Sequence, residues 1–254
     1  MERLSEIAIV VPCFNEAARL DTGQLRSLAQ LAVCDVIVVD DGSTDGTADL
    51  VARATAGDSR IRVVRLPSNG GKAAAVRHGL HLAAAAGYTV VGFCDADFAT
   101  PVGDVSRLVQ ACTNDAPVVI GSRVGLLGHR IERSPIRHYT GRIFATASSL
   151  ALGFQVYDTQ CGAKVFLVGQ PLSDALDEPF MSRWAFDVEL LGRLAVAHGS
   201  VVGFLEVPLQ SWRDADGSKL TTRASLRAVV DLWFIRRALR RRALNSPRPD
   251  QPRR

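Results

Sequence analysis

Short runs of β-branched residues alternate regularly with alanine- and leucine-rich stretches along most of the chain. The runs are apolar throughout, which is typical of strands buried on both faces, and their alternation with helices predicts a mostly parallel sheet flanked by helices. The predicted strands are residues 7–11, 36–40, 61–66, 89–94, 117–120 and 201–207, with a strand or hairpin over 156–168. The predicted helices are residues 70–87, 141–153, 182–198 and 220–244.

A single α/β domain with a C-terminal appendage fits this pattern. Of the 254 residues, 47% are hydrophobic and 22% are charged, values that are typical of a globular protein and exclude a disordered or fibrous one. We predict an α/β domain over residues 1–220, a basic amphipathic helix over 221–245 and a disordered tail over 246–254.

Cysteine usage and hydropathy bear on the compartment. The five cysteines are scattered and lack the spacing of a zinc site, which favours reduced thiols. No apolar run is long enough for a signal-peptide core or a membrane span. We therefore expect a cytoplasmic protein.

The basic charge is concentrated at the C-terminus. From Arg223 onward there are ten arginines and two acids, a net charge of +8, which leaves 20 basic and 24 acidic residues and a net charge of −4 for the rest. Arginines beside Trp233 and Phe234 suit the headgroup layer of an anionic membrane, so we predict a peripheral protein on its cytoplasmic face. The alternatives are a helix packed on the domain with a solvated basic face, and nucleic-acid binding, for which no reading module is recognisable.

The residues that follow the predicted strands are the ones to inspect, because open parallel sheets bind ligands at the carboxyl ends of their strands. Asp95 and Asp97 form a D-x-D element directly after a strand. Paired carboxylates supply hard oxygen ligands to Mg²⁺ or Mn²⁺, and the alternative for so short a motif is a solvated turn. We predict that both aspartates hold the metal on a diphosphate.

A second acidic loop follows residues 36–40. Asp40 and Asp41 repel each other unless something engages them, and an acceptor for a nucleobase or a ribose hydroxyl is one role for either residue. Asp45 has two open interpretations, a helix cap or a ligand contact.

The motifs taken in order resemble glycosyltransferase family 2. The matching segments are IVVPCFNEAARL at 9–20, VIVVDDGSTDGT at 36–47, NGGKAAAVRHGL at 69–80, CDADFATP at 94–101 and GSR at 121–123. DTQCGAKVF at 158–166, WAFDVELL at 184–191 and DGSKL at 216–220 are similar to the branch of dolichyl-phosphate β-glucosyltransferases and polyprenyl-phosphate glycosyltransferases. The resemblance implies a GT-A fold, Rossmann-like, and a nucleotide-sugar donor.

The resemblance also implies roles for single residues on the donor side. It places Pro12, Asn15 and Glu16 around the nucleobase and ribose, Asp40 or Asp41 on the base, Lys72 and Asp95 beside the donor, and Asp97 on the metal. Ala99 stands where mannosyl-transferring relatives often carry a glutamine ligand, so the third protein ligand is open and water is one candidate.

The acceptor decides which further groups are needed. A phosphate monoester is largely dianionic at neutral pH and attacks without a general base, so it needs cations. The candidates that hold it are Arg123, Arg133, Arg137 and Lys219. A hydroxyl acceptor would need a base, for which Asp158 and Asp187 are the candidates, although Asp158 has an alternative role in orienting a substrate.

These observations predict an inverting, metal-dependent hexosyltransferase that moves a sugar from a UDP- or GDP-sugar to a polyprenyl (dolichyl-type) phosphate, with Asp158, Arg123, Asp187 and Lys219 as candidate catalytic residues. One alternative keeps the donor and uses a soluble acceptor, such as a sugar, a phosphorylated small molecule or a natural product. Another is a non-catalytic protein that binds membranes or nucleic acid through its arginine-rich tail.

Overall fold

The computed structural model describes residues 6–213 and 222–245, without the side chains of 136–137, 222–229 and 245. Its strands are β1 (Ile7–Cys13), β2 (Asp35–Asp40), β3 (Ile61–Arg65), β4 (Val90–Cys94), β5 (Val118–Ser122), β6 (Arg130–Glu132), β7 (Ala163–Leu167), β8 (Phe204–Pro208) and β9 (Ser211–Arg213). Its helices are α1 (Thr22–Leu31), α2 (Thr47–Ala54), α3 (Lys72–Ala85), α4 (Val102–Ala111), α5 (Pro135–Leu152), α6 (Gln170–Leu176), α7 (Phe186–His198) and α8 (Thr222–Asn245).

A seven-stranded sheet forms the centre, with the strand order β3-β2-β1-β4-β7-β5-β8. All strand pairs in it are parallel except those of β7, which runs antiparallel between β4 and β5. The prediction of a mostly parallel sheet flanked by helices is confirmed. The chain leaves β1 toward β3 on one side and returns to β4 on the other, so β1 and β4 flank a topological switch point.

Both faces of the sheet are buried, as the continuous apolar runs predict. Ile9 and Val11 of β1 belong to one core cluster with α1 and α4, whereas Ala8 and Val10 belong to a second cluster with α3 and α7. Helix α3 lies so close to the sheet that a side chain at Gly79 would meet Val10. This close packing positions the N-terminus of α3 over the end of the sheet.

Several elements differ from the sequence-based prediction. Helix α7 begins at Phe186 instead of 182, β8 begins at Phe204 instead of 201, and α6, β6 and β9 were not predicted. The largest differences concern α5 and the segment 156–168. Helix α5 begins at Pro135, six residues before the predicted start, because proline is tolerated in the first turn, where its missing N–H has no helical partner. The predicted strand or hairpin over 156–168 was wrong in its first half. The backbone N–H groups of Tyr157 and Asp158 donate to the Glu206 carboxylate at 2.8 and 2.9 Å instead of to a strand, and only β7 forms.

A small parallel sheet of β6 and β9 and the long helix α8 complete the fold. Helix α8 packs on α5 and α7, with Ile235 and Leu239 buried against Ala185. The predicted domain boundary near residue 220 stays a prediction, and the tail 246–254 lies outside the described residues. Among the described helices, none is both long and apolar enough to span a membrane.

Candidate active site

The candidate site lies at the switch point between β1 and β4. A cavity of about 220 Å³ opens there between the carboxyl ends of the two strands and the first turn of α3. It is lined by Pro12, Cys13, Phe14, Glu16, Arg19, Asp41, Lys72, Ala75, Asp95, Ala96 and Asp97. Six of the predicted donor-side residues therefore meet in one cavity, although they come from four separate segments of the chain.

Asp41 fastens the start of α3 to the end of β2. Its two carboxylate oxygens accept the backbone N–H groups of Gly70 and Gly71 at 2.9 and 2.7 Å. Gly71 has φ +91°, a conformation that L side chains rarely adopt, and it directly precedes the first residue of α3. Asp41 thereby fixes the position of Lys72 at the cavity wall.

Asp40 and Asn15 hold the loops behind the cavity and are absent from its lining. The fully buried Asp40 accepts the N–H of Ser43 at 3.1 Å and pairs with Arg65 at 3.4 Å, which relieves its repulsion from Asp41. Asn15 accepts the N–H of Thr44 at 2.9 Å from a backbone with φ 53°. Their predicted contacts to the donor stay predictions.

Asp45 has a structural role at the start of α2, one position before the N-cap residue Gly46. Its carboxylate accepts the N–H of Thr47, the first residue of α2, at 3.0 Å and the N–H of Ala17 at 2.9 Å. These bonds tie the two loops after β1 and β2 together.

Asp95 and Lys72 face each other across the cavity, with Nζ 2.5 Å from Oδ1. Partial burial alone would lower the pKa of Lys72, but the carboxylates of Asp95 and Asp187 outweigh it and raise that pKa. On the far side Asp95 is walled in by Gly162, where any side chain would collide with its carboxylate. A residue without a side chain is therefore needed at position 162 on this side of Asp95.

Asp97 lies exposed at the mouth of the cavity and accepts the N–H of Ala99 at 3.0 Å. Desolvation of its inner side raises the pKa of Asp97, and repulsion from Asp95 adds to the increase. Lys72 balances only part of the charge of the two carboxylates, and a divalent cation would offset the remainder. No third carboxylate, histidine or cysteine joins them in a metal-binding group within the described chain, so the two aspartates fit an ion that keeps several non-protein ligands.

Arg123 and Asp158 form a buried bidentate ion pair outside the cavity. Nε and Nη2 of Arg123 lie 2.6 and 2.7 Å from the two carboxylate oxygens. Burial alone would raise the pKa of Asp158, but the guanidinium outweighs burial and lowers it. A carboxylate that is ion-paired with a lowered pKa is a poor proton acceptor, which favours the orienting role for Asp158 over the role of a base.

Asp187 is engaged in the same way. Its carboxylate lies 2.5 Å from Nζ of the fully buried Lys164, which also donates to the carbonyl of Cys161 at 2.7 Å. This ion pair connects α7 to β7 beneath the segment that carries Gly162. The sequence analysis missed Lys164, which lies inside the DTQCGAKVF match but at an apolar strand position.

The remaining acceptor-side candidates divide into described and undescribed ones. Arg133 is half-buried, and its guanidinium lies 5.6 Å from the ring centre of Trp212. The guanidinium of Arg123 lies 5.1 Å from the centre of the same ring. The side chain of Arg137 and the whole of Lys219 lie outside the described residues. Their predicted roles stay predictions.

Two cations near the cavity were not predicted from the sequence. Arg19 lines the cavity and donates to Glu16, with Nη2 2.6 Å from Oε1. Arg183 lies against Gly71 and donates to the Asn69 side chain at 2.9 Å. The only sequence signal for them was their place in or beside the segments 9–20 and 184–191.

Comparison with known proteins identifies the family. The model of glycosyl transferase family 2 matches residues 8–168. The chain belongs to glycosyl transferase family 2. This family 2 member is 31% identical to human dolichyl-phosphate beta-glucosyltransferase over 91% of its own length and 75% of the relative's. It is 35% identical to the Drosophila melanogaster protein of the same name, over 91% and 74% of the two chains.

Solved structures confirm the GT-A fold of this family 2 member. Glucosyl-3-phosphoglycerate synthase from Mycobacterium tuberculosis, in complex with Mn²⁺, uridine diphosphate and phosphoglyceric acid, superposes with a TM-score of 0.66. That match covers 91% of this chain and 78% of the other at 20% identity. Mannosyl-3-phosphoglycerate synthase from Rubrobacter xylanophilus matches with a TM-score of 0.60, 17% identity and coverage of 98% and 79%.

Proposed function

We propose that the protein is an inverting, metal-dependent glycosyltransferase that moves glucose from UDP-glucose to a polyprenyl phosphate. The observation that carries this proposal is the cavity in which Lys72, Asp95 and Asp97 meet at the switch point of the sheet. Relatives named dolichyl-phosphate beta-glucosyltransferase support the sugar and the acceptor, and a fold neighbour in complex with UDP-glucose supports uridine over guanosine.

The donor side follows from the cavity lining. Pro12, Glu16 and Asp41 border the part that would receive the nucleoside, and Lys72 is the cation within reach of the diphosphate. Asp95 and Asp97 would hold Mg²⁺ or Mn²⁺ through carboxylate oxygens, with its other positions left to donor phosphate and water. When bound, the cation supplies charge stabilisation to the leaving diphosphate.

The state of the carboxylates favours a phosphate acceptor. Asp158 and Asp187 are both committed to buried ion pairs, whereas a hydroxyl acceptor needs a free base. A dianionic phosphate oxygen attacks the anomeric carbon unaided, the bond from that carbon to the diphosphate breaks, and the diphosphate leaves with the electron pair. Direct attack on an α-linked donor gives a β-linked product. Arg133 beside Trp212 is the described cation that suits the acceptor phosphate.

The acceptor sets the location that we propose, which is the cytoplasmic face of a membrane with the protein bound peripherally. Residues 1–220 would act as the transferase domain and 221–245 as the attachment helix. The basic side chains on the described part of α8 support this division.

A soluble phosphorylated acceptor is the second candidate. The observation that favours it is the phosphoglyceric acid bound in a fold neighbour, which is a phosphate-bearing small molecule. Both candidates use the same donor cavity, so only the acceptor distinguishes them.

The test measures donor binding and transfer separately. We expect UDP-glucose to bind the full chain by calorimetry only with Mn²⁺ or Mg²⁺, and we expect Asp97→Asn to lower the affinity by at least about tenfold, or ~1.4 kcal/mol. Asp115→Asn, at an exposed turn before β5, is the matched control and should bind like the wild type.

Transfer is then followed by mass spectrometry with a short polyprenyl phosphate and, in parallel, phosphoglyceric acid. Glucosylated lipid supports the proposal, and glucosylated phosphoglycerate alone would establish the second candidate. If the donor affinity is the same with and without the metal and is unchanged in Asp97→Asn, the proposed metal site is wrong. If no donor binds under any condition, the result would favour the alternative of a non-catalytic binding protein.

A further inference from the structure

The segment that precedes α7 reaches the chain at the edge of the candidate cavity. Arg183 lies directly on Gly71, where an added Cβ would be 2.7 Å from Nε and 2.9 Å from Nη2 of the arginine. The guanidinium also donates to the Asn69 side chain at 2.9 Å. Gly71 directly precedes Lys72, which is the first residue of α3 and part of the cavity lining. The guanidinium of Arg183 is therefore placed beside the backbone that carries Lys72.

A second contact joins the same segment to Lys72. Nζ of Lys72 lies 5.8 Å from the ring centre of Phe186, the first residue of α7. Phe186 is only three positions after Arg183 in the chain. Two side chains of this short segment, Arg183 and Phe186, therefore approach the start of α3.

The backbone next to Arg183 is fixed by side chains of two helices. Glu189 of α7 accepts the N–H of Met181 at 2.8 Å. The hydroxyl of Ser182 donates to Asp231 of α8 at 2.6 Å. The position of Arg183 is thus set by the docking of α7 and α8, and no ligand is needed to bring it to the cavity edge.

Arg183 carries a charge that no carboxylate balances within the described part of the chain. Its side chain is exposed, and the Asn69 amide to which it donates is neutral. Lys72 differs in this respect, because its Nζ is paired with Asp95 at 2.5 Å. An exposed guanidinium that is held in place by a neutral partner keeps its charge available for an anionic ligand.

Phosphate is the anion that suits a guanidinium at this place. The planar group can hold two phosphate oxygens at once, which an ammonium group cannot do. The donor diphosphate would also meet Lys72, but part of the charge of that lysine is already offset by Asp95. A second cation beside Lys72 would therefore add to the binding of the diphosphate.

We propose that Arg183 is a further donor-binding residue, which contacts the diphosphate of the nucleotide sugar beside Lys72. The inference rests on the proposed function, because it requires a nucleotide-sugar donor in the cavity. It adds a contact from the start of α7 to a site whose other donor-side residues come from the first half of the chain.

The experiment is calorimetry of UDP binding to the full chain with Mg²⁺, without acceptor. We expect Arg183→Gln to lower the UDP affinity by at least about tenfold, or ~1.4 kcal/mol. Glutamine can still donate a hydrogen bond to Asn69, so this variant removes mainly the charge. Arg183→Lys should bind UDP with intermediate affinity, because the ammonium group keeps the charge and lacks the two-pronged geometry.

Uridine separates a phosphate contact from a general effect on the cavity. It has the nucleoside and no phosphate, and its weak binding can be followed by ligand-observed NMR with Mg²⁺. Uridine should bind Arg183→Gln and the wild type equally. The matched control variant is Arg53→Gln, which removes an exposed arginine in the last turn of α2, and it should bind UDP like the wild type. Thermal unfolding of each variant verifies the fold.

Three outcomes would overturn the proposal. Unchanged UDP affinity in Arg183→Gln would exclude the contact, and a similar loss for uridine would give Arg183 a role in cavity shape alone. An equal loss of UDP affinity in Arg53→Gln would make the result a general effect of charge. UDP binding by the wild type that Arg183→Gln leaves unchanged refutes this inference alone, whereas a wild type that binds no UDP would refute the proposed function as well.

Discussion

Charged side chains around the candidate site have specific partners, and the partners differ in kind. Asp41 is held by backbone N–H groups, Asp95 by Lys72, and Asp158 by the guanidinium of Arg123. Each arrangement keeps a negative charge stable with little water around it. At the scale of single residues, the site is therefore set by these partners before any ligand binds.

The Arg123–Asp158 pair yields a prediction about stability. Both side chains are almost completely buried, so Asp158→Asn leaves a buried guanidinium without its counter-charge. We expect the free energy of unfolding at pH 7 to fall by about 3–5 kcal/mol. Urea unfolding followed by circular dichroism measures it, with Asp115→Asn as a control that should change little.

The same pair has a defined pH dependence. The pKa of Asp158 is lower in the folded protein than in the unfolded chain, so its stabilisation is complete above the unfolded value of about 3.9 and is lost as pH falls through the folded value. The difference between wild type and Asp158→Asn should stay constant from pH 8 to pH 5 and shrink below about pH 4. A difference that grows on acidification would refute the assignment.

At the scale of elements, the position of α3 decides whether Lys72 reaches the cavity. The helix lies on the sheet with Gly79 against β1 and β2, where an added Cβ would lie 2.5 Å from Cγ1 of Val10 and 3.0 Å from Cγ2 of Val39. The glycine is needed here for close approach of helix and sheet, since its conformation is an ordinary helical one.

Two glycine-to-alanine variants test this packing. Gly79→Ala should destabilise the protein by about 1–3 kcal/mol, because the sheet must move to admit the methyl group. Gly103→Ala in α4, where nothing lies within 4 Å of the new methyl group, should stabilise it by up to ~1 kcal/mol. Thermal melts of both variants give the comparison, and equal melting temperatures would contradict the close approach.

At the scale of the whole molecule, the central sheet joins the two core clusters. Successive residues of β1 belong alternately to the two clusters. Loss of packing in either cluster would therefore expose one face of this shared strand. Helix α8 is attached through its own small cluster with Ala185 at the start of α7 and through the Ser182–Asp231 hydrogen bond. We therefore expect the molecule to unfold as one cooperative unit that includes the docked helix α8.

This arrangement predicts a single unfolding transition. The tryptophans report on different parts, Trp212 on β9, Trp184 on the contact with α5, and Trp233 on α8. Urea transitions followed by tryptophan fluorescence and by far-ultraviolet circular dichroism should share one midpoint. An earlier fluorescence transition that disappears in Trp233→Phe would show that α8 detaches first.

The sequence by itself determined the strands of the main sheet, its long helices and the motifs, but not α6, β6 or β9. The apolar runs predicted the strands of the parallel sheet within a few residues, because burial on both faces leaves a local signature. Asp95 and Asp97 were recognisable as a candidate metal-binding pair from their place after a strand, and that role stays a prediction. What only the tertiary structure decided was pairing at a distance: the antiparallel insertion of β7 and the ion pairs of Asp158 with Arg123 and of Asp187 with Lys164. These depend on contacts between segments more than 20 residues apart, and local periodicity carries no information about which partner a side chain will meet.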